Sequence, residues 1–332
     1  MTKFPRCLLF AVLLGFLLPV TGCSGEDSAS PDAGARDTAV TSHEAAASDQ
    51  AGQLVDLGSL TTFKIAAVQY GKGTYTTAAP GCKDDVCALS SLAREASKAG
   101  ARLVVFPEYS LYQANPWDPP AAMGDMPATD AKYQSTTVVR PFAALAVETK
   151  MFVVFNLKTQ ETVGGVTRKY NTDVAVNPSG KVVAVHHKFE LYSAFEKSTF
   201  TAGASQKSSF FQTPAGKTGV LICADIHCLI TGLTTSDKCT AVGVDRVKQF
   251  VAEKPDVVLV SNYWFTAADT PTWGSMVVGG TVAKQMKAYV ATSNTTKGSG
   301  YGGAIYDPQG TILAKKISTS ASVVYAEIPV AK

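Results

Sequence analysis

The sequence predicts an α/β fold in which helices cover mixed β-sheets. Two uninterrupted apolar runs, RLVVFPE at 102–108 and MFVVFNL at 151–157, are typical of strands that are buried on both faces of a sheet. A helix-like segment from Ala88 to Ala99 precedes the first run and ends at Gly100, and 142–149 is predicted as a helix between the two runs. Strands therefore alternate with helices, which is the pattern of layered α/β proteins.

The remaining predicted elements continue this alternation and add hairpins. The turn NPSG carries proline and glycine where a turn needs them, so the flanking segments 170–176 and 181–188 are predicted to form a hairpin. Two terminal hairpin-like segments are predicted at 302–316 and 321–330. Further strands are predicted at 63–70, 217–223, 256–262 and 288–294, and further helices at 242–252 and 274–287.

The N-terminus has the features of an export signal. Lys3 and Arg6 precede an apolar run from Leu8 to Val20, which is too short for a membrane-spanning helix. The end of this run and the three residues after it read LPVTGC, up to Cys23, and resemble a bacterial lipoprotein box, in which the cysteine is acylated. We therefore expect a lipoprotein signal peptide over 1–22 and an exported protein that is anchored to a bacterial membrane by lipid on Cys23. Ordinary signal cleavage beside an incidental cysteine is the alternative.

A polar segment follows the expected signal peptide. Residues 24–53 are rich in Ala, Ser and Asp, with six acidic residues against one arginine and no aromatic residue. Such a composition buries too little apolar surface to offset chain entropy, so we expect a flexible tether over 23–56 and a globular domain over 57–332. A surface helix through HEAAASDQAG is the alternative for the tether. The net charge of +3 comes without a basic stripe, so no nucleic-acid partner is expected.

The cysteine count leaves an odd thiol in an oxidising compartment. Cys7 leaves with the signal peptide and Cys23 is assigned to lipid, so five cysteines remain, namely Cys82, Cys87, Cys223, Cys228 and Cys239. The spacing allows small loops closed by Cys82–Cys87 and by Cys228–Cys239, and this pairing leaves Cys223 as a free, reactive thiol. A Cys223–Cys228 bridge is the competing pairing, and the sequence leaves both open.

Three predicted strands end in reactive side chains. Glu108 follows the run 102–107, Lys188 ends the strand 181–188, and Cys223 ends the strand 217–223. Charges that follow apolar strands are costly unless they emerge at an edge or a cleft, and open α/β sheets bind ligands beyond the carboxyl ends of their strands. We therefore expect the acid, the ammonium and the thiol to meet at one rim of the sheet.

Histidines offer the alternative partner for the Cys223 thiol. His186 and His187 are adjacent on a predicted strand and point to opposite faces, and His227 follows Cys223 closely. A papain-like pair would use one of these three with a further orienting group, and no local signature supports it. Asp225 and His227 are interpreted as structural residues of the turn and the pocket rim. No paired-His or CxxC motif is present, so we expect neither a metal nor a cofactor.

The motifs FPEYSLY, HHKFELYSAF and GVLICADI resemble the carbon–nitrogen hydrolase (nitrilase) superfamily, and YNTDVAVNPSGKVVAVHHKFELY resembles its biotinidase and vanin (pantetheinase) branch. The resemblance spans about Phe63 to Val330 and implies a four-layer α-β-β-α sandwich. It implies that Glu108 is the general base, Lys188 the catalytic lysine and Cys223 the nucleophile. It also implies that the additional C-terminal domain of biotinidase and vanin proteins is missing.

The same resemblance extends to secondary site residues. The backbone N–H of Ala224 is expected to help hold the oxyanion, and Glu196 resembles an acid that apolipoprotein N-acyltransferases carry after their lysine. We expect five aromatic residues to line the substrate pocket, namely Tyr109, Tyr112, Tyr192, Trp264 and Trp273.

These residues predict an exported amidohydrolase that cleaves a linear, non-peptide amide of a small metabolite or vitamin conjugate through a cysteine thioester. The alternatives are an acyltransferase with the same three residues, and a lipoprotein that only binds its ligand. The expected partners are a small-molecule amide, a membrane contacted through the lipid anchor and, as the superfamily allows, a second copy in a homodimer.

Overall fold

Two mixed sheets of six strands each form the centre of the computed structural model, which describes residues 61–71, 74–111, 139–204, 207–263, 275–296 and 302–331. The expected signal peptide, the expected acylation site at Cys23 and the expected tether lie outside the described residues. Within the described ranges, no helix is both long and apolar enough to cross a membrane.

The first sheet has the strand order β12-β1-β2-β3-β4-β5. Its strands are β1 Thr62–Gln69, β2 Leu103–Val105, β3 Phe152–Val163, β4 Val166–Val176, β5 Val182–His187 and β12 Ser322–Pro329. The three central strands β1, β2 and β3 are parallel, whereas β4, β5 and β12 join through antiparallel pairs. Strand β5 consequently runs in the same direction as β2, and the two strands end at the same edge.

The second sheet has the strand order β11-β10-β9-β8-β7-β6. Its strands are β6 Phe210–Thr213, β7 Gly216–Ile222, β8 Val257–Ser261, β9 Tyr289–Ser293, β10 Gly302–Tyr306 and β11 Ile312–Ile317. Strands β7, β8 and β9 are parallel, and the outer strands are antiparallel to their neighbours. Seven described helices accompany the sheets: α1 Tyr75–Ala78, α2 Asp85–Lys98, α3 Val139–Thr149, α4 Ala194–Thr199, α5 His227–Ile230, α6 Ala241–Ala252 and α7 Ser275–Met286.

Side-chain alternation along the strands builds three core layers. Ile65 and Ala67 of β1 pack with Val220 and Leu259 of the second sheet, so this core lies between the two sheets. The alternate β1 residues, such as Ala66, belong to the core beneath α2 and α3. A third core lies between the second sheet and the helices α5, α6 and α7. The architecture is therefore α-β-β-α, and the predicted fold class is confirmed.

The sequence interpretation differs from the structure in several elements. The expected terminal hairpin at 321–330 is wrong, since this segment forms the single strand β12, which pairs antiparallel with β1 over Thr62–Gln69. The predicted strand 102–108 is only three residues long as β2, and β3 continues to Val163 in a hairpin with β4. Strand β6 and the short helices α1 and α4 were not predicted. Pairing between distant segments leaves no local sequence pattern, which explains the error at β12.

Candidate active site

Glu108, Lys188 and Cys223 follow strands of two different sheets. Glu108 lies three residues beyond β2 and Lys188 directly follows β5, both in the first sheet, whereas Cys223 directly follows β7 of the second sheet. The expectation that all three meet at the rim of one sheet is therefore corrected. The two sheets are joined where their parallel strands end, because Tyr70 N donates to Asn294 O at 3.0 Å beyond β1 and β9.

Lys188 is buried between two carboxylates. Its Nζ donates to Glu108 Oε1 at 2.7 Å and to Glu196 Oε1 at 2.6 Å, and its side chain is only 1% exposed. Helix α4 positions Glu196, because the Ser193 hydroxyl caps the helix by accepting from Glu196 N at 3.1 Å. The Tyr109 hydroxyl donates to the same Glu196 oxygen that Lys188 contacts. Glu196, which only the family resemblance suggested, therefore forms a direct ion pair with Lys188.

The surroundings separate the pKa values of the two carboxyls. Burial raises the pKa of Glu108 to about 7, although Lys188 favours its ionised form. Burial also acts to raise the pKa of Glu196, but Lys188 and the Tyr109 hydroxyl outweigh it and hold that pKa below its usual value. Burial opposes the charge of Lys188, yet the neighbouring anions raise the pKa of the ammonium well above its usual value. Glu196 and Lys188 therefore stay ionised near neutral pH, and Glu108 is the group that can exchange a proton.

Cys223 is the one cysteine outside a disulfide among those the structure describes. Cys82 pairs with Cys87 and Cys228 pairs with Cys239, so the alternative Cys223–Cys228 bridge is absent. Burial raises the pKa of the Cys223 thiol well above its usual value, and the Glu108 carboxylate adds to this, while Lys188 and the backbone N–H of Tyr263 favour the thiolate. A thiol in this environment needs a base in order to react.

Asp225 links the turn that carries Cys223 to the segment that carries Lys188. Its Oδ2 accepts from Ile222 N at 3.0 Å and from His186 Nε2 at 2.7 Å. Its Oδ1 accepts from the backbone N–H groups of Phe189 and Glu190 at 3.0 and 2.9 Å. One buried side chain therefore holds the residue before the thiol against the two residues after the lysine, which agrees with the structural role that we assigned to it.

A buried amide network behind Glu108 was missed by sequence reasoning. Asn171 Nδ2 donates to Glu108 Oε1 at 2.7 Å, and Asn156 Nδ2 donates to Asn171 Oδ1 and to Asp173 Oδ1, each at 2.8 Å. All three residues are about 1% exposed. The available signal was a polar residue inside an otherwise apolar strand, as in MFVVFNL and YNTDVAV, because buried polar groups require partners.

The predicted aromatic wall lies partly within the described residues. The Tyr109 ring lies 5.5 Å from the Tyr263 ring, and the Tyr192 ring lies 5.2 Å from the His227 ring. Tyr263 was not predicted. Tyr112, Trp264 and Trp273 lie outside the described residues, and Ala224 is fully buried beside Cys223.

One group of potential metal ligands is found within the described residues, and it consists of Glu190, Cys228 and Cys239. Its two sulfurs are joined in a disulfide, which has no thiolate to offer a metal. Glu190 instead accepts hydrogen bonds from the Thr240 hydroxyl at 2.8 Å and from Thr240 N at 3.1 Å, just before α6 begins.

A family model described as carbon-nitrogen hydrolase matches residues 64–332. The chain belongs to the carbon–nitrogen hydrolase family. Omega-amidase NIT2 of Bos taurus is 24% identical to it over 82% of this chain and 91% of the relative. Nit3 of the yeast Saccharomyces cerevisiae, a solved member of the nitrilase superfamily, shares the fold with a TM-score of 0.59, at 21% identity over 81% of this chain and 90% of Nit3.

Two other relatives match a shorter part of this chain. Symplectin of Sthenoteuthis oualaniensis is 30% identical over 40% of this chain and 31% of its own length. Pantetheine hydrolase VNN2 of Homo sapiens is 26% identical over 46% of this chain and 32% of its own length. The match thus spans about a third of each of these two relatives.

We expect Asp225→Asn to lower both stability and activity. All four partners of Asp225 are donors, so an amide N–H₂ would face donors and leave about two of them unpaired. Each unpaired buried donor costs about 1–3 kcal/mol, which predicts a loss of roughly 2–6 kcal/mol in the free energy of unfolding. Urea unfolding measures it, with Asp245→Asn on the exposed face of α6 as the matched control. An unchanged unfolding free energy for Asp225→Asn would contradict the role of this side chain.

Proposed function

We propose that this protein is an exported amidohydrolase that cleaves a linear, non-peptide amide bond of a small metabolite or vitamin conjugate through a thioester on Cys223. The observation that carries the proposal is the buried Lys188–Glu108 ion pair at 2.7 Å, with the unbridged Cys223 thiol within its electrostatic influence. An acid–base group, a fixed cation and a nucleophile are the parts that acyl transfer from an amide requires.

The first half of the reaction forms the thioester. Glu108 accepts the proton of the Cys223 thiol while the sulfur attacks the amide carbonyl carbon. The Lys188 ammonium and the backbone N–H of Ala224 stabilise the oxyanion of the tetrahedral intermediate. Glu108 then gives its proton to the departing amine, and the carbonyl re-forms as a thioester.

The second half of the reaction uses the same groups. Glu108 accepts a proton from water as the water oxygen attacks the thioester, and the carboxylic acid product leaves as the sulfur regains a proton. Glu196 takes no part in these transfers. Its hydrogen bond of 2.6 Å to Lys188 keeps the lysine charged and in place in both half-reactions.

The family supports the proposed substrate class. One relative is named an omega-amidase and another a pantetheine hydrolase. We infer a small amide for this chain as well, and a panel of pantetheine, biotinyl-lysine and short ω-amides of dicarboxylic acids samples the class. An added amine that intercepts the thioester in preference to water would identify an acyltransferase instead.

Removal of the nucleophile or the base is expected to abolish amine release. Cys223→Ala and Glu108→Gln should each lower kcat/KM by at least about 1,000-fold on the best substrate of the panel. The first removes the atom that forms the thioester, and the second removes the carboxylate that accepts the thiol proton. Acid quench and peptide mass spectrometry should find the acyl group on Cys223 in the parent protein. Glu148→Gln, at an exposed surface ion pair with Arg94, is the control. Wild-type turnover by Cys223→Ala would rule the mechanism out.

The activity is expected to rise with pH through about 7. Below the raised pKa of Glu108, near 7, this carboxyl is protonated and cannot accept the thiol proton. Burial lowers the pKa of His227 and of His187 to about 3, so neither histidine titrates in this range. The measurement is kcat/KM between pH 5 and 9. A flat profile between pH 5 and 8 would be incompatible with Glu108 as the base.

We further propose that the domain over 57–332 is held at a membrane by a lipid on Cys23 after removal of residues 1–22. The support is the sequence pattern around LPVTGC. In a bacterial host, the full-length protein is expected in the membrane fraction with an acylated N-terminal peptide. Cys23→Ala should lose both features, whereas Cys7→Ala, within the expected signal peptide, should retain them. Membrane retention of Cys23→Ala would argue against the anchor.

A further inference from the structure

The backbone N–H of Tyr109 fixes which atoms donate and which accept in the amide network behind Glu108. Tyr109 N, which can only donate, donates to Asn156 Oδ1 at 2.8 Å. The orientation of the Asn156 amide is therefore set, and its Nδ2 is the donor end. This nitrogen uses one hydrogen for Asn171 Oδ1 and the other for Asp173 Oδ1, each at 2.8 Å.

The orientation of Asn171 follows from that of Asn156. Because Asn171 Oδ1 accepts from Asn156, its Nδ2 must point the other way, and it donates to Glu108 Oε1 at 2.7 Å. Lys188 Nζ donates to the same Glu108 oxygen at 2.7 Å. One oxygen of Glu108 thus has two donors on it, in a region where all of these side chains are buried.

The two oxygens of Glu108 are consequently unequal. Neither an ammonium nor an amide nitrogen has a lone pair for a hydrogen bond, so a proton on Oε1 would face two donors and displace at least one of them. A proton on Oε2 leaves both hydrogen bonds in place. The transferred proton is therefore confined to one oxygen.

We propose that Asn171, oriented by Asn156 and Asp173, is a positioning residue that makes Oε2 of Glu108 the oxygen that exchanges protons with Cys223. This inference rests on the proposed function, since it assigns the atom through which that reaction runs. Asn171 touches no reacting atom and acts through Glu108. The proton leaves the sulfur, joins Oε2 and later moves to the amine, so charge and atoms balance without any further reagent.

The ionisable groups that interact with Glu108 come from four segments besides its own. Lys188 follows β5, Glu196 lies on α4, Cys223 follows β7 and Tyr263 follows β8. Asp173 lies on β4 behind the amides, where burial raises its pKa to about 6. Only Asn171 supplies a neutral donor to Glu108 among the described contacts, so its replacement changes hydrogen bonding without removing a charge.

Asn171→Asp is the variant that reverses this contact with almost no change in volume. It places a carboxyl oxygen against Glu108 Oε1. Two carboxylate oxygens are both acceptors and repel each other, so a hydrogen bond between them requires a proton on one of the two. We expect the ascending limb of kcat/KM to move at least about one pH unit to the alkaline side, because loss of a donor and gain of a like charge both disfavour the Glu108 carboxylate. We expect kcat to fall about 10- to 100-fold with KM changed less than about 3-fold.

A second measurement follows the loss of the Cys223 thiol proton without any substrate. The rate of Cys223 alkylation by iodoacetamide, followed by peptide mass spectrometry of the full-length protein, depends on thiolate formation. In Asn171→Asp this rate should need a higher pH than in the parent protein. Thr159→Val is the matched control, because Thr159 is fully buried and its hydroxyl pairs with Thr172 at 2.6 Å between the same two strands, β3 and β4. It should lower the melting temperature only and leave both pH profiles unchanged.

The two measurements separate the two proposals. Unchanged pH profiles for alkylation and turnover in folded Asn171→Asp would overturn the positioning role, while loss of turnover in Cys223→Ala would still support the enzyme. Full turnover in Cys223→Ala would overturn the proposed function, and the alkylation profile alone would then decide on Asn171. A shift in Thr159→Val equal to that in Asn171→Asp would mean a general loosening of the two strands, and it would also overturn the positioning role.

Discussion

The buried ammonium of Lys188 constrains everything around it. An isolated charge in a protein interior is very costly, so this one requires compensating anions, and Glu108 and Glu196 lie 2.7 and 2.6 Å away. One carboxylate already balances the lysine. The second is one negative charge in excess, which is the physical reason why burial can raise the pKa of Glu108 to about 7 while that of Glu196 stays low. The division of roles between the two acids is thus a consequence of charge balance.

The same balance suits a reaction that moves negative charge without creating it. When Glu108 takes the proton of Cys223, the excess negative charge leaves the carboxylate and appears on the sulfur or on the oxyanion. Lys188 contacts Glu108 and interacts electrostatically with Cys223. Because the proton only moves between these groups, the total charge of the buried group stays constant through the proposed steps. A transfer of this kind avoids the desolvation cost that a change of net charge would carry in a buried site.

Much of the fold, and the location of Glu108, Lys188 and Cys223 just after strands, could be predicted because both depend on local patterns. Apolar runs that end in Glu108, Lys188 and Cys223 mark buried strands and their carboxyl ends. The assignment of Cys223 to a second sheet could not be read locally, because sheet membership depends on pairing between distant segments. Glu196 was suggested by resemblance alone, since its position on α4 depends on a helix of six residues with no apolar period. The amides Asn156 and Asn171 were visible as polar residues in apolar strands, but their partners depend on the register between β3 and β4.

Backbone conformation shows where the structure bears strain in order to hold the site. Tyr109 has φ of 59° and Cys223 has φ of 42°, in the left-handed region that side chains with a β-carbon disfavour. Such residues cost of order 1–3 kcal/mol each and persist only where their surroundings over-determine them. Here the surroundings are specific: Asn156 accepts from the Tyr109 backbone, and Asp225 accepts from the residue before Cys223. Tyr109 and Cys223 both adjoin the site, and the turn of each is held by a buried polar side chain from another position in the chain. The polar interior therefore does more than satisfy its own hydrogen bonds, because it fixes the two turns that bring the acid and the thiol to the lysine.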